Sequence, residues 1–496
     1  MPLKMRINFK AYCIAILFLA PLFGETYPIS QYFNVLINNS KVGYSSVILE
    51  KSKYNGKECI KERDYMLFEI NRSESKIRIE TKAELFYTEK FEPLGFKTIE
   101  TMSGQEKIIE GNILNNKLFL TVKLAGAVEK KEFDFPKDVL LDDMVDDKLR
   151  GSKIIPKNST VIKIFDKSNL NFADLKVKVL TPVKEKINGK DVSGHSIETV
   201  MHGISAFHVL DEKGLTLKSS FPQMGIVSVK TTEEDAKKAF STSVDILADF
   251  AIKASRSIDE PKKVKEMNCS LIFAEGLPAV FTKESIKGTS IRILKDNMAI
   301  CTLRREVYEG TKAVSIPIME KSLEKYLKAT PYEQADDPLI KKTALLIIGS
   351  EKNSFKASAL IIKWVYKTLK KKANYNVGFD TAKETIVRKE GDCTEHSVLA
   401  SALCKAVGIP TKICGGIIPM YDRFYYHMWL EVYVGNGKWV PMDPTYDEII
   451  LDAAHIKLSE GILDDEGRFK LMLDILSYFR KVEVQIFKLE YVRGKR

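Results

Sequence analysis

The chain has 496 residues, of which 45% are hydrophobic and 29% are charged. This is ordinary globular composition, which excludes a largely disordered chain, and the length predicts two or three folded units rather than a single core. The formal net charge of +11 comes from Lys and Arg residues that are interspersed with Asp and Glu. Because neither a nucleic-acid motif nor a basic stripe with stacking aromatics accompanies this charge, we expect no nucleic-acid partner.

Residues 1–24 have the pattern of a secretory signal peptide. Three basic residues precede an apolar run from Ala11 to Phe23, and Gly24 is a small residue at which a signal peptidase can cleave. The run is shorter than the roughly 20 apolar residues that a bilayer span needs, and no later stretch is long and apolar enough. We therefore predict an exported protein, periplasmic or extracellular, with no stable membrane span after signal removal.

Residues 25–232 are predicted to form an antiparallel β-rich region. Short runs of β-branched and aromatic residues alternate with turn signals such as Asn55-Gly56 and Asn188-Gly189. The stretch from Pro136 to Arg150 interrupts these strands. Its carboxylates, among them Asp142 and Asp143, lack the alternating spacing of a calcium loop, so we interpret them as a solvated face rather than a metal site.

Residues 233–320 are expected to hold a connecting helix and a small β unit. Helical periodicity extends from Glu233 to Ala254, and the strand pattern resumes from about Cys269 to Ile318. No cysteine pair has CxxC spacing, so neither a zinc site nor a thioredoxin-like pair is indicated. An oxidising compartment would permit a bridge between Cys269 and Cys301, and buried free thiols are at least as good an interpretation.

Residues 321–496 contain the candidate catalytic residues, beginning with a cysteine at the start of a helix. Asp392 can cap this helix and Glu395 can close a capping box. Gly408 and Pro410 then end it. Cys393 therefore lies in the first turn, where unpaired backbone N–H groups and the positive end of the helix favour a thiolate.

Other interpretations of these residues remain open. A buried structural cysteine is the alternative for Cys393, since free cysteine is commonly buried. Cys404 and Cys414 lack its polar setting and are interpreted as packing residues. His396 is a second candidate base, but it lies one turn along the same helix as the thiol and is therefore less well placed.

A strand signal from Phe424 to Val434 carries the candidate base, His427, and the chain returns through Lys438 to Asp443. A two-residue turn would send Asp443 to the opposite face from His427. A three-residue loop, or an equivalent bulge with Gly437 at positive φ, makes the two residues diagonal neighbours about 7–8 Å apart. We predict the second arrangement.

The chemistry of a thiol nucleophile requires these three residue types together. A base must take the proton of the thiol, and a third group must fix the tautomer of the base and stabilise its imidazolium form. We assign Cys393 as nucleophile, His427 as base and Asp443 as the orienting residue. Taken singly, His427 as a structural histidine and Asp443 as a turn residue before Pro444 would be the simpler interpretations, and only the joint pattern reverses them.

Four segments together resemble the core of the transglutaminase-like superfamily. They are Gly391-Asp392-Cys393-Thr394-Glu395-His396, Gly408-Ile409-Pro410-Thr411, His427-Met428-Trp429-Leu430-Glu431-Val432 and Trp439-Val440-Pro441-Met442-Asp443-Pro444-Thr445. The resemblance implies an α+β fold for this region, with a papain-like core in which the cysteine helix packs on an antiparallel sheet. The segment Ala453-Ala454-His455-Ile456-Lys457-Leu458 is similar to a continuation in bacterial members, which favours a structural rather than a catalytic His455.

The same resemblance implies acyl transfer through a thioester at Cys393, with no cofactor and no metal. The substrate would be an amide in a protein, a peptide or a cell-envelope polymer. Hydrolysis, as in a cysteine protease, is the expected outcome because water is the abundant acceptor outside the cell, and crosslinking by an amine is a variant. The alternative is a non-enzymatic envelope binding protein, because fold resemblance does not establish activity.

Overall fold

The structure is a computed structural model. It describes residues 27–492 apart from residues 73–74, 103–104, 125–126, 146–158, 168–169, 202–203, 212–214, 223–224, 241–243, 245–250, 274–276, 278–280, 282–288, 306, 372–379 and 464–481. The predicted signal peptide lies outside the described residues. The chain divides into two compact units on either side of residue 246. No helix in the described part combines the length and hydropathy needed to cross a bilayer.

The first unit contains one large sheet. Its strands are β1 (Ile29–Ile37), β2 (Ser40–Tyr54), β3 (Lys57–Arg72), β4 (Ser75–Tyr87), β5 (Pro93–Met102), β6 (Gln105–Leu114), β7 (Lys117–Leu124), β8 (Ala127–Asp134), β9 (Leu140–Leu141), β10 (Ser159–Asp166), β11 (Asn171–Ile187), β12 (Lys190–Met201), β13 (Ile204–Leu210), β14 (Thr216–Phe221) and β15 (Ile226–Thr231). A short helix, α1 (Glu233–Lys237), follows. The strands run as two meanders joined by the β1–β15 pair, and all pairs but β9–β10 are antiparallel. The predicted antiparallel β-rich region is therefore confirmed.

Two hairpin turns of this sheet have an Asn-Gly pair at their centre. Asn55 and Gly56 have φ of 49° and 79°, and Asn188 and Gly189 have φ of 51° and 77°. Two successive residues at positive φ form the type I′ turn that matches the twist of antiparallel strands. Both predicted turns are confirmed.

Alternate residues of the strands fill a shared apolar core. In β7, Leu118, Leu120 and Val122 are buried while the residues between them are exposed or half-buried. Ile164 of β10, near the other end of the sheet, belongs to the same buried cluster. Strands that are distant in sheet order therefore contribute to one interior, which requires the sheet to curve strongly.

The acidic stretch within the first unit differs from the solvated face that its sequence predicts. Asp142 is buried, and together with Asp143 it accepts hydrogen bonds from the ammonium of Lys167. The predicted solvated face is thus a buried ion pair. The partner lies 25 residues further along the chain than Asp142, so no local pattern could reveal it.

Within the residues that the structure describes, the second unit combines a mixed sheet and a short two-stranded sheet with four α-helices. Its strands are β16 (Ile252–Ile258), β17 (Val264–Phe273), β18 (Thr289–Lys295), β19 (Met298–Arg304), β20 (Lys370–Lys371), β21 (Glu390–Gly391), β22 (Thr411–Gly435), β23 (Lys438–Met442), β24 (Ile456–Gly461) and β25 (Val482–Tyr491). Its helices are α2 (Pro338–Ile348), α3 (Ser354–Thr368), α4 (Ala382–Arg388) and α5 (Cys393–Ala406). Helix α5 packs against β22 and against the other three helices. It is buried along almost its whole length.

Two expectations about residues 233–320 differ from the structure. The helix predicted over Glu233–Ala254 ends at Lys237, and Ile252 already begins β16. The strands predicted between Cys269 and Ile318 do not form a separate unit, because β17, β18 and β19 join the sheet that contains β22 and β23. The reason is a non-local pairing, in which β17 binds β25 from the end of the chain.

Cys269 and Cys301 lie directly opposite each other on β17 and β19. Both thiols are free and buried. Burial raises the pKa of both thiols, that of Cys301 to about 12. In this structure Cys269 and Cys301 are therefore buried free thiols rather than a disulfide. A raised pKa disfavours the thiolate, so neither cysteine has the properties of a nucleophile.

Candidate active site

Cys393 is the first residue of α5, and the predicted capping box is present. The backbone N–H of Thr394 donates to Asp392 Oδ1 at 2.9 Å, and the backbone N–H of Asp392 donates to Glu395 Oε2 at 2.9 Å. These bonds fix the entry of the chain into the helix. They place the sulfur at the positive end of the helix, as predicted from the sequence.

The β22–β23 hairpin has the register that brings the base and the carboxylate to one face. Its turn residues Asn436 and Gly437 have φ of 54° and 68°, and a bulge between Tyr433 and Gly435 shifts the pairing by one residue. Leu430 consequently pairs with Met442. The bulge is the predicted equivalent of a three-residue loop, and Gly437 has the predicted positive φ.

His427 and Asp443 are hydrogen bonded. His427 Nε2 lies 2.8 Å from Asp443 Oδ2, and both side chains are buried. Since a carboxylate can only accept, Nε2 carries the proton and Nδ1 is the basic nitrogen of the neutral ring. Burial lowers the pKa of His427, which favours this neutral form, and Asp443 opposes the shift.

Asp443 is held as a carboxylate. Burial alone would raise its pKa, but the hydrogen bonds and charges of His427 and His455 lower it well below its ordinary value. The backbone N–H of Thr445 also donates to Asp443 Oδ1 at 2.7 Å. Both carboxylate oxygens therefore have donors, which is the arrangement an orienting residue requires.

Two sets of contacts bring the cysteine helix to the histidine strand. The Ser397 hydroxyl, one turn after Cys393, donates to the backbone carbonyl of Met428 at 3.1 Å. The ring of Tyr446 lies 5.4 Å from that of His427 between centroids, and the pKa of its phenol is raised by burial and by the nearby Asp443 and Cys393. The described structure thus brings Cys393, His427 and Asp443 into one region.

All three groups are enclosed, and the exposed fraction of Cys393, His427 and Asp443 is 0%. Tyr446 is one of the side chains against them. Lys262 and Lys371 lie over its ring, with ammonium-to-centroid distances of 5.5 Å and 4.8 Å. The Cys393 sulfur is therefore covered in this structure.

His396 is buried close to this site but is not bonded to Asp443. Its Nδ1 lies 2.7 Å from the backbone carbonyl of Asp392, so Nδ1 donates and Nε2 is the acceptor. Within the described part of the chain, Nε2 has no hydrogen-bond partner. Burial lowers the pKa of His396. The ring is therefore neutral, and it lacks the carboxylate partner that His427 has.

The sequence favours a structural rather than a catalytic His455, and the structure places its ring against Asp443, the carboxylate of the candidate site. His455 Nε2 lies 3.4 Å from Asp443 Oδ2 and Nδ1 lies 3.0 Å from Asp452 Oδ1. The signal available in the sequence was Asp452, three positions earlier. An aspartate at that spacing can fix one ring nitrogen and leave the other for a second acceptor.

A ring of four charges lies beyond the site, on β22 and on its neighbour β24. The Lys412 and Lys457 ammoniums each contact the carboxylates of Glu431 and Glu460, at 2.6–3.1 Å. Cys414, buried next to these groups, has a pKa well above its ordinary value because of its burial and the nearby Glu431. Cys414, Glu431 and Glu460 have the spacing of metal ligands, but two ammoniums already neutralise the carboxylates, so this donor set does not favour a cation.

A cavity of about 250 Å³ adjoins the site. Trp429, Trp439, Asp452 and His455 contribute to its wall, whereas neither Cys393 nor His427 does. The cavity therefore borders the site through His455 and Asp452 rather than through the sulfur.

The helix layer is anchored by a second buried pair. Lys405, in the last turn of α5, donates to Glu333 at 2.6 Å, and both side chains are at most 1% exposed. Ser401 on the same helix also donates to Glu333. This pair ties α5 to the segment that precedes α2 and so fixes the position of the helix that carries Cys393.

Residues 341–444 match the family model described as Transglutaminase-like superfamily. This part of the chain is a transglutaminase-like domain. The match begins within α2 and ends just after Asp443, so it contains the cysteine helix, the histidine strand and the aspartate. The resemblance seen in the four sequence segments is thereby confirmed.

The chain is also similar to an uncharacterized protein of Haemophilus influenzae, with 25% identity over 203 residues. This match covers 36% of the chain and 52% of the relative, so the chain spans about half the length of that curated protein.

Two solved structures share low overall similarity with the chain. A candidate cysteine protease from Cytophaga hutchinsonii has 17% identity and a TM-score of 0.30, over 40% of this chain and 78% of that one. The periplasmic domain of TgpA from Pseudomonas aeruginosa has 13% identity and a TM-score of 0.28, over 40% of this chain and 75% of that one. Both similarities are too low to identify a shared function.

Proposed function

We propose that the protein is an exported cysteine acyl-transfer enzyme in which Cys393 attacks an amide, His427 moves the proton and Asp443 orients His427. The observation that carries this proposal is the buried 2.8 Å hydrogen bond between His427 and Asp443 beside the N-terminus of the helix that begins with Cys393. A structural histidine alone would not need a carboxylate held by two donors at a cysteine helix.

The reaction follows from these positions. His427 Nδ1 takes the proton of the thiol, and the Cys393 sulfur attacks the amide carbonyl carbon to give a tetrahedral oxyanion. The backbone N–H of Cys393, at the helix terminus, is one candidate donor to that oxyanion. His427 then returns the proton to the leaving nitrogen as the carbon–nitrogen bond breaks, which leaves a thioester on Cys393 and releases an amine.

Resolution of the thioester decides between hydrolysis and crosslinking. Water or a second amine attacks the thioester carbon, His427 accepts the proton, and the carbon–sulfur bond breaks to regenerate the thiol. Water is the abundant acceptor outside a cell, so we propose an amide or peptide hydrolase, with amine crosslinking as the variant. The substrate is a protein, a peptide or an amide of the cell envelope, since the basic, apolar start of the chain directs export.

The test is turnover by matched cysteine variants. The mature protein, Cys393→Ala and Cys404→Ala are incubated with a panel of peptide amides, with and without a primary amine, and the products are weighed. Cys404 is the control because it is a buried thiol on the same helix. We expect turnover in the parent and in Cys404→Ala and none in Cys393→Ala, and the product mass separates acid from amide. Equal turnover in Cys393→Ala would overturn the proposal.

One observation favours the second candidate, a non-enzymatic envelope binding protein. Cys393, His427 and Asp443 are all fully enclosed, and a binding protein has no need of an accessible sulfur. This alternative predicts that iodoacetamide leaves Cys393 unmodified in the folded protein and that no amide of the panel is turned over. The enzyme predicts alkylation of Cys393, because covering residues must open during turnover.

A further inference from the structure

His455 bridges two carboxylates at the back of the site. Its ring nitrogens face Asp443 Oδ2 at 3.4 Å and Asp452 Oδ1 at 3.0 Å. Carboxylates only accept hydrogen bonds, so a ring that satisfies both must donate from both nitrogens, and only an imidazolium does so. The chain of contacts is therefore His427, Asp443, His455, Asp452, alternating between ring and carboxylate.

The surroundings of His455 favour this charge. Burial alone would lower its pKa, but Asp452, Asp443 and Glu448 raise it well above the ordinary value. The ring also packs edge-on against Trp429, with centroids 5.4 Å apart, and 6.0 Å from the ring of His427.

Other ionisable groups also face His455 or the cavity that it lines. Glu448 lies in its own segment and has a pKa raised to about 7 by burial and by its acidic neighbours. His427 faces it from β22. The charged groups that share its cavity wall are Arg304, Lys412, Glu431, Asp452 and Lys457.

We propose that His455 is a positioning residue of the acyl-transfer site, whose imidazolium holds the Asp443 carboxylate in place for His427. This inference rests on the proposed function of the site and adds a fourth group to it. The cation also sits close enough to His427 to disfavour a second positive charge there. His455 thereby sets the pH range over which His427 and Cys393 exchange a proton.

The direct test is a nitrogen NMR titration of the ring-labelled protein. The chain has six histidines, which single substitutions assign. We expect the His455 ring to remain doubly protonated through neutral pH, whereas His208, whose ring nitrogens face two hydroxyl groups, remains neutral and is the internal reference. A neutral His455 ring at neutral pH would overturn the proposal. This measurement does not depend on any substrate.

The variants separate charge from shape. His455→Gln keeps an amide donor toward Asp443 and loses the cation, so the titration midpoint of His427 should rise by roughly one pH unit. Both limbs of the pH profile of turnover should move upward with it, because His427 and the thiol titrate as a coupled pair. His208→Gln, a buried histidine of the first unit, should leave both limbs in place.

A purely structural role gives a different result. In that case His455→Gln lowers the amplitude of turnover or the stability, and the His427 midpoint and the limbs stay where they are. If the charge of His455 matters, His455→Lys, which keeps a positive charge, should have a pH profile of turnover whose limbs lie close to those of the parent protein. If the parent turns over no amide, the proposed function fails, while the His427 titration in parent and His455→Gln still decides the inference.

Discussion

The two units of the protein bury histidines in opposite ways. In the first unit, His208 lies between the hydroxyl groups of Thr199 and Ser219 at 3.0 Å and 2.9 Å. In the second, His455 lies between the carboxylates of Asp443 and Asp452. Burial lowers the pKa of His208 to about 3, whereas the carboxylates overcome burial and raise the pKa of His455.

The comparison shows that partners, rather than burial, decide the charge of an enclosed histidine. A hydroxyl can donate to a neutral ring and accept from it, so His208 loses nothing by staying uncharged. A carboxylate that faces a ring nitrogen stabilises a proton on that nitrogen and so raises the pKa of the ring. The first unit therefore contains a buried histidine that stays neutral between hydroxyl groups, and the second unit contains a buried histidine that belongs to a connected chain of rings and carboxylates.

The largest expected effect comes from breaking this chain at its carboxylate. In Asp443→Asn, the new amide can donate to His427 Nε2 and so favours the wrong tautomer. We expect kcat to fall by about 10³–10⁴-fold. The matched variant Asp142→Asn alters a buried carboxylate of the first unit and should leave kcat unchanged. If Asp443→Asn and Asp142→Asn lost kcat equally, the proposed difference between the two units would be contradicted.

A second prediction concerns stability rather than turnover. Glu333→Ala leaves the ammonium of Lys405 buried and unpaired, so we expect the free energy of unfolding to fall by roughly 3–5 kcal/mol. Urea unfolding followed by tryptophan emission measures this, because Trp364, Trp429 and Trp439 all lie in the second unit. The double variant Glu333→Leu with Lys405→Met should recover most of the loss. A single variant as stable as the parent would show that the pair does not anchor α5.

Opposite pKa shifts predict opposite pH dependences for the two histidines. His208 binds a proton less readily in the folded state than at its ordinary pKa of 6.5. Its stability contribution is therefore present above that pH and is lost toward lower pH, by about 1.4 kcal/mol per pH unit. His455 binds a proton more readily when folded, so its contribution is present below pH 6.5 and is lost as the pH rises through the folded value.

The measurement is the difference in unfolding free energy between the parent and each glutamine variant across pH. Far-ultraviolet circular dichroism follows the strand-rich first unit for His208→Gln, and tryptophan emission follows the second unit for His455→Gln. We expect the stability difference between the parent and His208→Gln to shrink as the pH falls. The difference between the parent and His455→Gln should shrink as the pH rises. Two differences that change in the same direction would contradict the comparison.

The smallest effect concerns access to the sulfur. Tyr446→Ala removes a ring that lies against His427 and close to Cys393. We expect alkylation of Cys393 by iodoacetamide to become roughly tenfold faster, which corresponds to ~1.4 kcal/mol of lost packing. Peptide mass spectrometry measures the rate, and Tyr421→Ala, at an exposed tyrosine of β22, is the control. An unchanged rate would show that other residues limit access.

The parts of the site that depend on local sequence could be predicted. The capping residues Asp392 and Glu395 placed Cys393 at a helix start, and a bulge in the β22–β23 hairpin, one of the two registers considered, brings Asp443 to His427. Both depend on backbone chemistry within a few residues, which the sequence states directly.

The parts that depend on distant partners could not be predicted. β17 pairs with β25, and paired residues such as Phe273 and Val482 are more than 200 positions apart, so the local strand pattern from about Cys269 to Ile318 predicts a separate unit. Lys167 as the partner of Asp142, and Asp443 as the partner of His455, likewise arise only when the chain has folded back on itself. The sequence alone therefore predicts a solvated face for Asp142 and a structural role for His455, without the partners that the fold gives them.

The most direct test of the central claim is to trap the acyl group on the enzyme. The parent protein is mixed with a peptide amide that it turns over, quenched in acid within the first turnover and digested for mass spectrometry. We expect the mass of the acyl group to be added to the peptide that contains Cys393. Hydroxylamine should remove this acyl group, and the corresponding peptide of Cys393→Ala should carry none. Turnover without any acylated Cys393, or an acyl group on another cysteine, would contradict the central claim.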